Sequence, residues 1–266
     1  MKKTALAAGG GSLPLLFLRK AAEKKKPVVV FGITGEADIK ALAEYSEPYE
    51  IKITELSKII RICRKEAVDR IVLLGYIRHA NLVKNIKFDM LTLKTLMKLK
   101  DFRAAAVMKG IIDLFSEKGI KVLKSTYLLE DFLAGKGNAG KTAPGKDNIR
   151  DIQLGIKIAK KTASLDIGQT VVVKKKSIIA VEAMEGTDKC IERAAAEGGP
   201  GFVVVKAARP GQDMRYDVPV VGEKTIDLIQ KHKGAGIALE AGRTFLLDRE
   251  KIIKKADRAK IFITGY

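Results

Sequence analysis

Short, unbroken apolar runs alternate with helical periodicity through the first half of the chain. The run over 3–8 enters Gly9-Gly10-Gly11-Ser12. The run over 27–33 ends in Gly35-Glu36-Ala37-Asp38, and Arg-Ile-Val-Leu-Leu-Gly-Tyr spans 70–76. Between them, Leu56, Ile59, Ile60 and Cys63 recur at helical spacing within 55–68. A strand without polar alternation is buried on both faces, so the pattern predicts a parallel sheet covered by helices on each side. Ser12 stands where an N-cap belongs, with Pro14 in the first turn of a helix reaching to about residue 25. Helices over 91–99 and 103–118, a strand over 120–124 and a short helix over 128–133 complete a Rossmann-like α/β domain over 1–134.

The stretch 135–145 is rich in Gly and Pro and poor in bulky residues, and reads as a linker. Beyond it, 146–266 reads as a second α/β domain, a mixed sheet with helices. A helix over 148–162 precedes strands over 170–173 and 178–183, a hairpin around Lys174-Lys175-Lys176. Thr187 or Asp188 caps a helix ending near residue 196. A strand over 202–206, a helix over 223–231, strands over 236–240 and 245–248, a helix over 250–260 and a strand over 261–264 follow.

Composition narrows the function. The chain has 266 residues, enough for two cores, and its 47% hydrophobic content excludes disorder. The net charge is +19 and evenly spread, with 25 basic against 15 acidic side chains in 1–134 and 25 against 16 in 135–266. Such an excess favours anionic partners without choosing among them. Cys63, Cys190, His79 and His232 show no metal-ligand spacing, and both cysteines sit in helical patterns as small buried apolar residues. A metal here is therefore a hard cation held by oxygen. The start imitates a secretory signal but breaks at Gly9-Gly10-Gly11, and no run approaches the ~20 apolar residues of a membrane span, so the expected location is the cytoplasm.

The candidate chemistry lies at strand ends. Gly10, Gly11 and Ser12 can present backbone N–H groups to a phosphate, or simply make a tight βα turn; the pattern is neither a P-loop nor GxGxxG. Arg78, after Gly75-Tyr76-Ile77, is a phosphate ligand or a solvated surface residue. The segment 81–102 interleaves Lys84, Lys87, Lys94, Lys98 and Lys100 with apolar side chains, as does a helix lying on anionic lipid or a core helix with a basic outer face. In the second half, acids abut glycines and apolar strands at Asp166-Ile167-Gly168-Gln169, at 182–188, along 209–219 and at Glu240-Ala241-Gly242. Carboxylates at a strand mouth hold a cation or orient a water, and Arg and Lys clamp phosphate.

These segments, in this order and nearly end to end, resemble the UDP-2,3-diacylglucosamine diphosphatases of lipid A biosynthesis that are not calcineurin-like. The resemblance implies a Mg²⁺-assisted hydrolysis of a sugar-nucleotide pyrophosphate to UMP and 2,3-diacylglucosamine 1-phosphate, with water attacking the β-phosphorus. It further implies two domains with the substrate held between them, a peripheral contact with the inner membrane surface, and no nucleic-acid partner; a homodimer is compatible with it. On charge logic, Asp213 or Asp217 orients or deprotonates the water or holds the metal. Asp188, Glu185 and Asp213 are the acids for Mg²⁺, and Lys206, Arg209 and Arg215 bind phosphate oxygens. Gly10, Gly11, Ser12, Arg78, Gln169, Thr187, Gln212 and Glu240 complete the substrate-binding set. Two positions depart from the family pattern: Lys100-Asp101-Phe102-Arg103 replaces a Gly-Asp-Asp-like step, and Val218-Pro219-Val220-Val221-Gly222 lacks the usual Thr. Two alternatives stand beside this one, a nucleotide-dependent oxidoreductase built on the first half and a basic nucleic-acid-binding protein.

Overall fold

The computed structural model describes residues 3–78, 88–99 and 104–266. His79, positions 81–87 of the basic apolar segment and the 100–103 step lie outside the described residues. The chain forms two units: residues 1–129 with Asp213–Tyr216, and Glu130–Gln212 with Asp217–Tyr266. Among the described residues no helix is long and apolar enough to cross a membrane.

The first unit carries strands β1 (Lys3–Ala8), β2 (Val28–Ile33), β3 (Tyr49–Ile51), β4 (Val68–Leu74) and β5 (Lys121–Val122) in the order β3-β2-β1-β4-β5, all parallel. This is the Rossmann-like sheet that the unbroken apolar runs predict. Its helices are α1 (Leu13–Glu23), α2 (Ile39–Ala43), α3 (Leu56–Lys65), α4 (Met90–Met97) and α5 (Ala104–Glu117). Leu56, Ile59, Ile60 and Cys63 of α3 are buried with Ala5, Phe31, Ile71 and Phe115. Burial pushes the Cys63 thiol up to about 12, which suits a packing residue rather than a nucleophile. The short β3 and α2 have no counterpart in the sequence reading, because three and five residues carry too little periodicity to stand out. Ser12 takes the N-cap position of α1, but its side chain makes no capping bond.

The second unit is built on β6 (Gly137–Asn138), β7 (Thr170–Lys174), β8 (Ser177–Val181), β9 (Val203–Lys206), β11 (Gly236–Leu239) and β13 (Phe262–Gly265), in the order β6-β13-β11-β9-β7-β8. A parallel pair, β10 (Val220–Val221) and β12 (Phe245–Leu246), stands apart from that sheet. The segment 135–145 is not free-standing: its Gly137 and Asn138 pair antiparallel with Gly265 and Thr264. Helices α6 (Lys146–Ser164), α7 (Gly186–Gly198), α8 (Glu223–Lys231) and α9 (Arg249–Arg258) cover the sheet. Side chains alternate across each strand, so the valine runs serve both faces. Val172 and Val204 pack with Ile191, Ala194 and Ile226, while Val203 and Val205 pack with Ile152, and Val171 and Val173 with Ala159. The α7 helix begins one residue ahead of Thr187, with Glu185 at its N-cap, so neither Thr187 nor Asp188 is the cap.

Gly155 shows how closely α6 sits on the sheet. A Cβ there would run into Val205 Cγ2 and come within 3.1 Å of Val173 Cγ2. In an exposed helix, Gly→Ala stabilises by about 0.5–1 kcal/mol. Here overpacking against two β-branched side chains costs about 1–3 kcal/mol and wins. Gly155→Ala is therefore expected to lower the stability measured by urea unfolding; a gain would show that α6 is free to move off the sheet.

Candidate active site

Strand direction gathers the second half's loops at one edge. β9, β11 and β13 run parallel, β7 is antiparallel to β9, and β8 is antiparallel to β7. The start of β7 and the ends of β8, β9, β11 and β13 therefore share one side of the sheet. This brings together Asp166 to Gln169, Glu182, Lys206, Glu240 and Tyr266.

Lys206, the last residue of β9, is only 8% exposed. Its Nζ donates to Thr187 Oγ1 at 2.7 Å, and the Thr187 hydroxyl donates to Glu182 Oε1 at 2.7 Å. Thr170 Oγ1 lies 3.3 Å from the same hydroxyl, and the Gln169 amide donates to Glu182 Oε2 at 3.2 Å. An ammonium, a hydroxyl and a carboxylate thus form one directed chain. Burial lowers the pKa of Lys206 against the pull of Glu182, Asp188 and Asp217.

Asp217 sits in left-handed backbone with φ of 54° and keeps solvent-exposed surface. Gln169 Nε2 donates to its Oδ2 at 3.4 Å, and Gln212 Nε2 donates to its carbonyl. The protein crowded around the carboxyl raises its pKa. Arg209 opposes that rise, Asp166 adds to it, Lys206 opposes it and Glu182 adds to it. Asp217 is thus reachable from solvent yet poorly hydrated, the setting in which a carboxylate titrates nearer neutrality.

Arg209 pairs with Asp166, while its buried Nε has no hydrogen-bond partner among the described residues. Gln212 Oε1 accepts from the Arg209 amide at 2.9 Å, so the Gln212 side chain staples its own loop. Glu240 Oε2 accepts from the Ala208 amide at 2.9 Å, with Lys160 and Arg243 each 3.9 Å from Oε1. Tyr266 Oη donates to the Lys206 carbonyl at 3.2 Å. Gln212 and Glu240, expected to bind substrate, hold the loop in shape here. Glu182, one of the strand-end acids of 182–188, belongs to the constellation, and so do Thr170 and Tyr266, which the sequence reading does not name. A polar Thr opening an apolar strand was the available signal for Thr170; Tyr266 had none.

The segment read as one constellation is divided by the fold. Asp213–Tyr216 belongs to the first unit, where the Ser125 amide donates to Met214 O at 2.7 Å, Ser125 Oγ donates to Arg215 O at 2.9 Å, and Tyr216 packs on the core. The Asp213 carboxylate takes Arg215 Nε at 2.9 Å and a second guanidinium nitrogen at 2.5 Å. That fork holds Asp213 below the usual carboxylate range.

The acids assigned to a metal each carry their own cation. Glu185 Oε1 meets Arg193 at 2.5 Å and its Oε2 accepts from the Ala183 amide at 3.1 Å; the Arg193 bond lowers its pKa. Asp188 pairs with Lys224 at 2.6 Å. Among the described residues no three His, Cys, Asp or Glu side chains gather as a metal cluster.

In the first unit, the sheet order places the loops after β1 and β4 side by side, at the point where strand order reverses. They are tied directly: Gly9 N donates to Leu74 O at 2.8 Å, Gly10 N to Tyr76 O at 2.9 Å and Tyr76 N to Gly10 O at 3.0 Å. A Cβ on Gly9 would sit 2.6 Å from Tyr76 O, so that glycine permits a backbone crossing. The amides of Gly9 and Gly10 are thereby spent, which leaves those of Gly11 and Ser12 as the donors of this loop. Arg78 donates from Nε to the Glu36 carboxylate at 3.2 Å and from a terminal nitrogen to Gly35 O at 2.8 Å. It ties the loop after β4 to the loop after β2 and keeps most of its side chain in solvent.

Thr187→Val removes the hydroxyl between a buried ammonium and Glu182. A buried donor left unsatisfied costs about 1–3 kcal/mol. Denaturant unfolding should register that loss, with Thr187→Ser recovering most of it. Equal stability of all three proteins would show that Lys206 finds another partner.

Two family models cover the chain. The LpxI N-terminal domain matches residues 3–132, and the LpxI C-terminal domain matches residues 135–264. A relative from Caulobacter vibrioides, named UDP-2,3-diacylglucosamine pyrophosphatase LpxI, is 31% identical over 279 residues, which take in 100% of this chain and 98% of that protein. Solved structures show a looser likeness. The biotin carboxylase domain of the Hydrogenobacter thermophilus 2-oxoglutarate carboxylase is 15% identical, with a TM-score of 0.30 over 74% of this chain and 41% of that one. The Campylobacter jejuni biotin carboxylase is 16% identical, with a TM-score of 0.29 over 74% and 42%. With both domains matched in order and a relative aligned over its full length, the chain belongs to the LpxI family.

Proposed function

We propose that the protein is a hydrolase of lipid A biosynthesis that cleaves the pyrophosphate of UDP-2,3-diacylglucosamine. The products are UMP and 2,3-diacylglucosamine 1-phosphate. The observation that carries this is the end-to-end match to the Caulobacter pyrophosphatase. The sheet edge of the second unit supports it independently, because hydrolysis of a phosphoric anhydride needs cations on the phosphates and an oriented water. Lys206 and Arg209 supply the first, and Asp217 supplies the second. The substrate is an anionic amphiphile, which accords with the +19 charge and with delivery from a membrane face.

In this mechanism a water oxygen bonds to the β-phosphorus and the bond from that phosphorus to the bridging oxygen breaks. The water's proton passes to Asp217, and UMP leaves on the other side. Asp217 suits the role better than Asp213, whose charge Arg215 already neutralises. Mg²⁺ keeps most of its waters and needs only one or two carboxylates. The acids named for it, Asp213, Glu185 and Asp188, each already carry a protein cation that Mg²⁺ would have to displace, and Asp217 is kept for the water. Bound beside the phosphates, Mg²⁺ would neutralise their charge.

Asp217→Asn should lower kcat for UMP release by roughly a hundredfold or more, and Asp213→Asn by less. Hydrolysis in ¹⁸O-water should label 2,3-diacylglucosamine 1-phosphate and leave UMP unlabelled; label in UMP would reverse the site of attack. EDTA should abolish turnover and added Mg²⁺ restore it. Near wild-type kcat in the Asp217 variant would sink the mechanism.

The pH dependence has a definite sign. A base works ionised, so activity falls as pH drops through the Asp217 pKa, which lies above that of an ordinary aspartate. Lys206 holds this pKa down, so Lys206→Met should move the acidic limb of kcat/KM to higher pH and lower its plateau. An unmoved limb would separate the two residues.

A further inference from the structure

The α4 helix leaves a row of apolar side chains on its outer face. Its buried residues are Thr92 and Thr95, while Met90 is 69% and Met97 76% exposed, and Leu93 and the preceding Phe88 are each 42% exposed. The inward face is held by hydrogen bonds. Thr92 Oγ1 donates to Thr54 O at 2.9 Å and accepts from the Leu56 amide at 3.3 Å, and Thr95 Oγ1 donates to Leu91 O at 2.8 Å. Asp89 caps the start, accepting from the Thr92 amide at 2.7 Å and the Ser57 amide at 2.8 Å. A helix that ends in water keeps its apolar residues inward. In α4 Leu91 packs on the core and Leu96 is half-buried, yet Met90, Leu93 and Met97 stay outside.

The outward residues form one stripe. Met90, Leu93 and Met97 follow one another at spacings of three and four, and Lys94 and Lys98, both exposed, run beside them. No acidic residue interrupts positions 90–99. Apolar tips flanked by ammonium groups match a surface that is apolar beneath and anionic above, which is a bilayer carrying acidic headgroups. A second copy of this chain fits poorly, since it would set two stripes of like charge against each other on molecules each carrying +19.

We propose that Phe88, Met90, Leu93 and Met97, with Lys94 and Lys98, seat the first unit on an anionic lipid bilayer. The inference does not rest on the hydrolase reading. It is tested by floating the full chain with phosphatidylcholine vesicles, with and without phosphatidylglycerol at roughly a third of the lipid. The protein floats with the anionic vesicles, less as salt rises. The combined variant Met90→Ser, Leu93→Ser, Met97→Ser loses at least about tenfold in partitioning, as does Lys94→Glu with Lys98→Glu. These side chains are solvent-facing, so an unchanged Tm checks that the variants fold. The chain has no Trp, so Met97→Trp adds a single fluorescent reporter, whose emission brominated acyl chains quench. Unchanged flotation of the serine variant, or an unquenched indole in the Met97→Trp protein, overturns the proposal. So does a serine variant that turns from dimer to monomer in light scattering, which makes the stripe a self-interface. Hydrolysis of detergent-dispersed substrate is measured on the same preparations: vesicle binding without hydrolysis removes the functional reading alone, and hydrolysis without vesicle binding removes this inference alone.

Discussion

A positive charge withdrawn from water at the end of β9 organises the sheet edge of the second unit. A buried ammonium is costly unless its donors are met and its charge is answered. Thr187 meets one donor and relays to Glu182, whose other oxygen takes the Gln169 amide. The strand's carbonyl is held by Tyr266. Thr187 and Glu182 come from the β8–α7 connection, Gln169 from the entry to β7 and Tyr266 from the end of β13, so with its own strand Lys206 brings four chain segments into register. The same low-hydration setting governs Asp217, whose carboxyl is raised by its surroundings while Lys206 and Arg209 restrain it.

The first unit solves a different problem. Two strand-end loops must cross without side chains between them, and Gly9 and Gly75 provide the room: a Cβ on either would meet backbone oxygen of the other loop within 2.6 Å. Arg78 and Glu36 then bind the third loop to the pair. The glycines that look like a phosphate cradle in the sequence are in part structural, because the amides of Gly9 and Gly10 are used by the neighbouring loop.

Much of the fold was legible because both sheets are buried on two faces. Val171 to Val173 and Val203 to Val205 read as strands since every position is apolar, and α3 reads as a helix since Leu56, Ile59, Ile60 and Cys63 share one face. The elements that escaped are short or polar, such as β3, α2 and the Gly137–Asn138 edge strand, which exists only because β13 offers it a partner. At the site, the acids and bases were visible as types at strand ends. Their pairings were only partly so: Arg215 answers Asp213 two residues away, while Arg193 and Lys224 reach Glu185 and Asp188 through the fold.

By itself, then, the sequence determined the alternation of strands and helices, the strand-end placement of Asp213, Asp217, Lys206 and Arg209, and the basic character of the whole. These follow from local periodicity and composition. Only the tertiary structure decided that Asp213 is neutralised in the first unit while Asp217 stands crowded in the second, that Thr187 links Lys206 to Glu182, and that α4 turns its methionines outward. Those outcomes depend on which groups lose water and which neighbour arrives first, and burial of that kind is set by packing between segments distant in the chain.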